Sequence, residues 1–196
     1  MKAKSIFFSL LFVNFQILLA QEQVWFEGSL VLPTCEVFVG KISLQPEFDL
    51  VLFEHGASRM VYPAHKIRSL YFYDYEKNFN RRFIVWKTDD GVRSSYHLYE
   101  IIISGRVDVL RRKKDSSFSN QTDPLDFNYF VRCENELISL KKFRKKVYPQ
   151  LRSQSDSRLE SFIADNKLRT NQPDNAIRII EYYNTLVKSD ESFARY

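Results

Sequence analysis

In this 196-residue chain, three histidines, two cysteines and a few closely spaced carboxylates carry reactive chemistry by type, and their spacing decides what that chemistry is. His55, His65 and His97 stand in no metal-ligand spacing of the H-E-x-x-H kind, and each falls in or beside an expected strand. His65 and His97 are the candidates for acid–base catalysis, because the strands that carry them can be neighbours and bring the rings together. No G-x-S-x-G elbow and no glycine-rich phosphate loop occurs. Asp89 and Asp90 are adjacent carboxylates, but adjacency in an Asp-Asp-Gly turn points them apart, so they read as turn residues. The expectation is no metal and no cofactor.

Cys35 and Cys133 leave two readings open. In an oxidising compartment they pair and close a loop of about a hundred residues, worth up to about 4.7 kcal/mol in the chain-entropy model. Otherwise they are two separate thiols; Cys133 shares strand parity with Phe127, Tyr129 and Val131, so it faces a core. Two basic runs, Arg111 to Lys114 and Lys141 to Lys146, read as a solvated strand end and a solvated helix face. Lys141, Lys142, Arg144, Lys145 and Lys146 are also candidates for an anionic lipid, an acidic polysaccharide or an acidic partner protein. Asn120-Gln121-Thr122 matches a glycan acceptor.

The elements that position these residues change character along the chain. From Val24 to about Leu140 short strands alternate with turn signals, and Asp90-Gly91 is the strongest hairpin signal. Most connections are too short for a helical crossover, so the sheet is expected to be antiparallel. Strands at 36–44 and 82–88 are apolar on both faces, which makes them central or covered on the second side, and the C-terminal region is the expected cover. In the aromatic stretch 67–87, Leu70 and Phe72 share one face, Tyr71 and Tyr73 the other, and "EKNFNR" is the turn. Ile67 falls out of phase with Leu70, which predicts a bulge near Arg68 or Ser69. Tyr71, Tyr73 and Trp86 become a binding surface only if helices leave their face open.

Beyond Glu134-Asn135 the period becomes helical. Leu140, Phe143, Val147 and Leu151 form one stripe, which Pro149 should end or kink. Ser157 with Glu160 is a capping-box pattern, and Pro173-Asp174 opens a helix with the stripe Ala176, Ile180, Tyr183 and Val187. The expected fold is α+β: mainly an antiparallel β meander, as a sandwich or partly closed barrel, with about three C-terminal helices packed on it. Residues 1–20 read as a signal peptide, 21–140 as the antiparallel β domain and 141–196 as the helical region.

The signal reading rests on Lys2 and Lys4 before an apolar stretch that ends at Ala20, too short for a membrane span of about 20 residues. No later stretch has spanning length, so the expectation is export to the periplasm or medium with no transmembrane segment in the mature chain. Loss of Lys2 and Lys4 lowers the formal net charge from +5 to +3, too mild to argue for a nucleic-acid partner.

The segments "YPAHKIRSLYFYD", "RRFIVWK", "YEIIISGRVDVLRRK", "DFNYFVRCENELISLKKFRKK" and "IIEYYN" resemble a loose group of uncharacterised exported proteins of Gram-negative bacteria. That resemblance implies an envelope location and carries over no activity and no site residue. Together the residues imply an exported, non-catalytic binding or interaction protein of the cell envelope, its partner an anionic envelope component or another protein. The alternatives are an envelope hydrolase with a dispersed His/carboxylate site, or a structural component of an envelope assembly. N-terminal sequencing of the protein recovered from the periplasm or medium should begin at Gln21; recovery of a chain that begins at Met1 contradicts the export reading.

Overall fold

Alternating apolar and polar residues build ten strands among the described residues, and the short connections between them force the sheet to curl. A computed structural model describes residues 23–89, 91, 93–114 and 127–193. The strands are β1 (Phe26–Val31), β2 (Val37–Gln45), β3 (Leu50–His55), β4 (Ser58–Pro63), β5 (Ser69–Asp74), β6 (Phe79–Asp89), β7 (Ser94–Ile103), β8 (Asp108–Lys113), β9 (Phe127–Cys133) and β10 (Glu136–Ser139). They form one antiparallel sheet in the order β10-β9-β8-β7-β6-β5-β1-β2-β3-β4, with β4 and β10 as open edges. Helices follow: α1 (Tyr148–Ser153), α2 (Asp156–Asp165) and α3 (Pro173–Phe193). The expected α+β architecture is therefore the observed one, as a sheet that does not close. None of the described helices is long and apolar enough to cross a membrane.

The sheet is two meanders, β1–β4 and β5–β10, joined where β5 pairs with β1. Between Pro63 and Ser69 the chain has only the 3₁₀ turn Ala64–Lys66, Ile67 and Arg68. Fully extended, this link would reach roughly 20 Å at about 3.3–3.6 Å per residue, but the 3₁₀ turn rises only about 2.0 Å per residue and cuts the reach to roughly 16 Å. In a flat sheet β4 and β5 lie four strand spacings apart, about 19 Å, with a further offset along the strands. A flat sheet cannot be bridged, so the strands coil until the end of β4 approaches the start of β5. Arg68 N–H bonds to Val31 O at 2.8 Å, and Ala64 N–H to Asp49 O at 2.9 Å.

Coiling encloses a first core of Leu30, Ile42, Val51, Phe53, Ile67, Leu70, Phe72, Phe83 and Leu98 on the inner face. A second core lies further along the same face, where Val109, Val131 and Ile138 meet Phe143, Val147, Leu151, Leu159, Ile180 and Tyr183 of the helical region. Gly28 and Gly40 face each other in the β1–β2 register. Their missing side chains let aromatic neighbours approach: a Cβ on Gly28 would meet Tyr71 O at 2.3 Å, and one on Gly40 would meet Glu54 O at 2.3 Å and the Phe53 ring at 2.8 Å.

Several local expectations are corrected. β2 and β6 are central, but the helices pack on β8–β10, so Val37 and Val39 on β2 stay exposed. The helices cover the end of the sheet to which their own chain segment connects. No bulge occurs near Arg68; Ile67 is buried because the 3₁₀ turn before it resets the phase. The β5–β6 turn is only 75–78, with Asn78 at φ 55°. β10 lies in a stretch that carries no strand alternation of its own.

The Leu140 stripe is buried as expected, yet Pro149 opens α1. A 3₁₀ turn (Leu140–Lys142) and a π turn (Phe143–Val147) precede it, and Tyr148 N–H bonds back to Phe143 O. Pro149 then occupies a first turn, where a missing N–H costs nothing. Ser157 lies inside α2 rather than capping it, and Glu160 pairs with Arg152. Pro173 does open α3, whose buried stripe also takes in Ile179 and Leu186. Gly28→Ala or Gly40→Ala should each lower unfolding stability by about 1–3 kcal/mol through overpacking; an unchanged urea midpoint in both contradicts the close approach.

Candidate functional site

On the inner face, at the seam between the two cores, one polar line crosses four adjacent strands. Register sets Phe83 opposite Glu100, and Glu100 opposite Arg111. Arg81 precedes Phe83 at the same parity and reaches both ways: Nε to Glu100 Oε1 at 2.8 Å and Nη1 to Asp74 Oδ2 at 3.5 Å. Arg111 Nε bonds Glu100 Oε2 at 2.8 Å, and Arg81 Nη2 shares that oxygen at 3.1 Å. Asp74, Arg81, Glu100 and Arg111 thus alternate in sign across β5, β6, β7 and β8. Asp74 and Glu100 are 1% and 3% exposed.

Aromatic rings brace the same groups. Phe26 stacks on Phe72 (centroids 4.5 Å apart) and Phe72 on Phe83 (5.8 Å). The Arg81 guanidinium lies 5.1 Å from the Phe83 ring, and that of Arg111 lies 4.6 Å from Phe127. Such contacts hold the guanidinium planes, and both arginines line a cavity wall. Burial pushes the Glu100 carboxyl up, but the hydrogen bonds and charges of Arg81 and Arg111 outweigh it and hold the group below the usual carboxylate range. For Arg111 burial opposes the charge, and Glu100 together with Tyr129 more than offsets it, so the guanidinium is held more firmly protonated.

A cleft of about 830 Å³ opens beside this line, between the β2–β3 hairpin and the inner face of β6–β9. Phe26, Leu44, Leu52, Phe83, Leu98 and Phe127 give it an apolar wall; Arg81, Arg111, Arg112 and Lys113 give it a mainly basic one, in which Glu100 and Glu47 are set as their partners. The hairpin tip is tied down by Glu47, which meets Lys113 Nζ at 2.5 Å, and by Asp49. Burial works to raise the Glu47 carboxyl, but the Lys113 hydrogen bond, a backbone hydrogen bond of its own and the Lys113 charge together outweigh it and hold the group below the usual carboxylate range.

Asp49 sits at φ 51° and fills the row past the last β7–β8 pair, Glu100 with Arg111, accepting from Leu98 N–H at 2.8 Å and from Arg112 Nη2 at 3.1 Å. His97 Nδ1 lies 2.7 Å from its Oδ2. The tip therefore docks by replacing a missing strand partner.

The residues singled out by sequence separate accordingly. His97 does meet a carboxylate, the geometry a general base needs, but Leu98 and Arg112 already occupy it, and among the described residues no hydrogen bond joins His97 to a serine, threonine or cysteine. His65 is exposed, with its ring 6.2 Å from Tyr96. Among the described residues no His, Cys, Asp and Glu group is placed to hold a metal. Tyr71, Tyr73 and Trp86 lie on the outer face, which the helices leave open; Tyr71 is 40% exposed and the Tyr73 hydroxyl donates to Asn78. Lys141, Lys142, Arg144, Lys145 and Lys146 are all exposed.

The cysteines are not bridged and are not near each other. Cys35, at φ 69° in the β1–β2 turn, accepts from Arg68 Nη1 at 2.8 Å, whereas Cys133 faces Gln150 at the second core. Burial, then the Glu134 charge, pushes the Cys133 thiol up. The run from Arg111 is not a solvated strand end, since Arg111 and Arg112 are paired at the cleft wall. Asp90 and the glycan acceptor at Asn120 lie outside the described residues.

Sequence reasoning missed Asp49, Asp74, Arg81 and Glu100. A signal existed for Glu100, which shares a strand with Leu98 on its own face and with the apolar run Ile101 to Ile103. Comparison with protein-family models, curated proteins and solved structures finds no match to this chain.

The Glu100 carboxyl is lowered in the folded chain, so its contribution is complete above the ordinary carboxylate range and is lost as pH falls through the lowered value. Glu100→Gln should cost about 3 kcal/mol at neutral pH by stranding two guanidiniums, with a shallower loss on acidification than wild type. Parallel acid limbs in urea titrations contradict this.

Proposed function

We propose that this is an exported, non-catalytic binding protein of the cell envelope, and that its cleft holds a small amphipathic anion. One observation carries the reading: a cavity of about 830 Å³ with a phenylalanine and leucine wall on one side and Arg81, Arg111, Arg112 and Lys113 on the other. Its size is in the range of small-molecule sites, which join a mostly apolar lining to a few fixed polar groups. The apolar wall takes a hydrocarbon portion. The guanidiniums, held in place by Glu100, take a carboxylate or sulfonate through charge-assisted bonds without having to be ordered first. The basic start of the chain and its apolar stretch support the envelope location.

A fluorescence titration with anilinonaphthalene sulfonate, followed by displacement with dodecanoate, tests the reading. Saturable one-to-one binding is expected, with displacement by dodecanoate and little by dodecyltrimethylammonium. Leu52→Trp, which fills the cleft without touching its charges, should weaken dodecanoate at least about tenfold, the scale of a lost apolar side-chain contact. Equal displacement by the cationic analogue, or an unchanged affinity in Leu52→Trp, overturns it.

A further inference from the structure

The segment Leu140–Val147 separates its side chains by chemistry. Leu140, Phe143 and Val147 are buried in the second core and fix the backbone against the sheet. Lys141, Lys142, Arg144, Lys145 and Lys146 are exposed. Among the described residues the carboxylate that meets this group is Glu136, 3.7 Å from Lys146 Nζ, and that pair is itself open to solvent at 54% and 60%. Five like charges in six positions repel one another, and the rest of the fold returns little attraction to them. The change from a 3₁₀ to a π turn interrupts the regular helical path, so the charges are presented as a broad basic surface on a rigid mount.

We propose that this surface docks the protein on an anionic lipid bilayer. The groups themselves select that partner. Four of the five are lysines, compact point charges rather than the planar forks that read a shaped carboxylate or phosphate site. None of them lines the cleft. The apolar members of the segment are spent on the core, so no aromatic platform is presented for stacking nucleic-acid bases. What remains is recognition of surface charge density, which a bilayer of anionic headgroups supplies over the whole segment at once. This inference is independent of the cleft ligand, since it uses different residues.

Cosedimentation of the purified protein with vesicles tests it, one set of phosphatidylcholine alone and one of phosphatidylcholine and phosphatidylglycerol in equal parts. Wild type should bind the mixed vesicles and not the neutral ones, and should be released by high salt. Each of Lys141→Gln, Lys142→Gln, Arg144→Gln, Lys145→Gln and Lys146→Gln should weaken binding about fivefold, and the five together should bring it to the neutral-vesicle level with an unchanged melting temperature. Glu136→Lys, which removes the nearby carboxylate, should strengthen it at least about fivefold. Equal binding to both vesicles, no binding to the mixed ones, or full binding by the fivefold variant overturns the proposal. Binding to soluble heparin without vesicle binding also overturns it, in favour of a polysaccharide.

Discussion

The buried carboxylate of Glu100 is the constraint around which the rest of this protein is arranged. It lies between Leu98, which belongs to the core enclosed by the coiled strands, and Ile102 and Ile103, which pack against the helical core. A lone anion there would be expensive. Arg81 from one side and Arg111 from the other supply the compensation, and Asp74 balances Arg81 in turn. Because each partner comes from a neighbouring strand, the pairing holds only in one register of β5–β8. A one-residue slip would turn these charges to the other face. The β7–β8 register shift between Ile101 and Ile103 follows directly, so the sheet changes course just where one core gives way to the other.

The same groups link fold to site. The guanidiniums that satisfy Glu100 are also the basic wall of the cleft, held by phenylalanine rings at 5.1 and 4.6 Å. The opposite wall is delivered by topology. The short Pro63-to-Ser69 link makes the sheet coil, and coiling carries the β2–β3 tip across to β7 and β8, where Asp49 completes an unfinished hydrogen-bond row. Asp49 takes a positive φ to do so, which an aspartate tolerates better than most residues. The His97 contact is one part of that clasp.

Periodicity made much of this legible. Leu70 and Phe72 against Tyr71 and Tyr73, Val131 with Cys133, and the helical stripes from Leu140 and Ala176 all fall on the expected faces, because burial enforces a period of 2 or 3.6 wherever one side is dry. What periodicity cannot carry is pairing between strands. Glu100 and Arg81 are 19 residues apart, and Asp49 and Arg112 are 63 apart. Either residue alone reads as an ordinary surface charge. Pro149 and Ser157 misled for a related reason: their local signals are real, but the π turn moved the one and Arg152 claimed the partner of the other.

The central claim is that Glu100 stays ionised in a nearly dry setting because two arginines hold it. The most direct test is a carbon-13 NMR titration of the glutamate side-chain carboxyls, with Glu100 assigned by its loss in Glu100→Gln. The account predicts that Glu100 titrates below the ordinary carboxylate range. Titration at or above that range would mean burial outweighs the arginines, and would contradict the account.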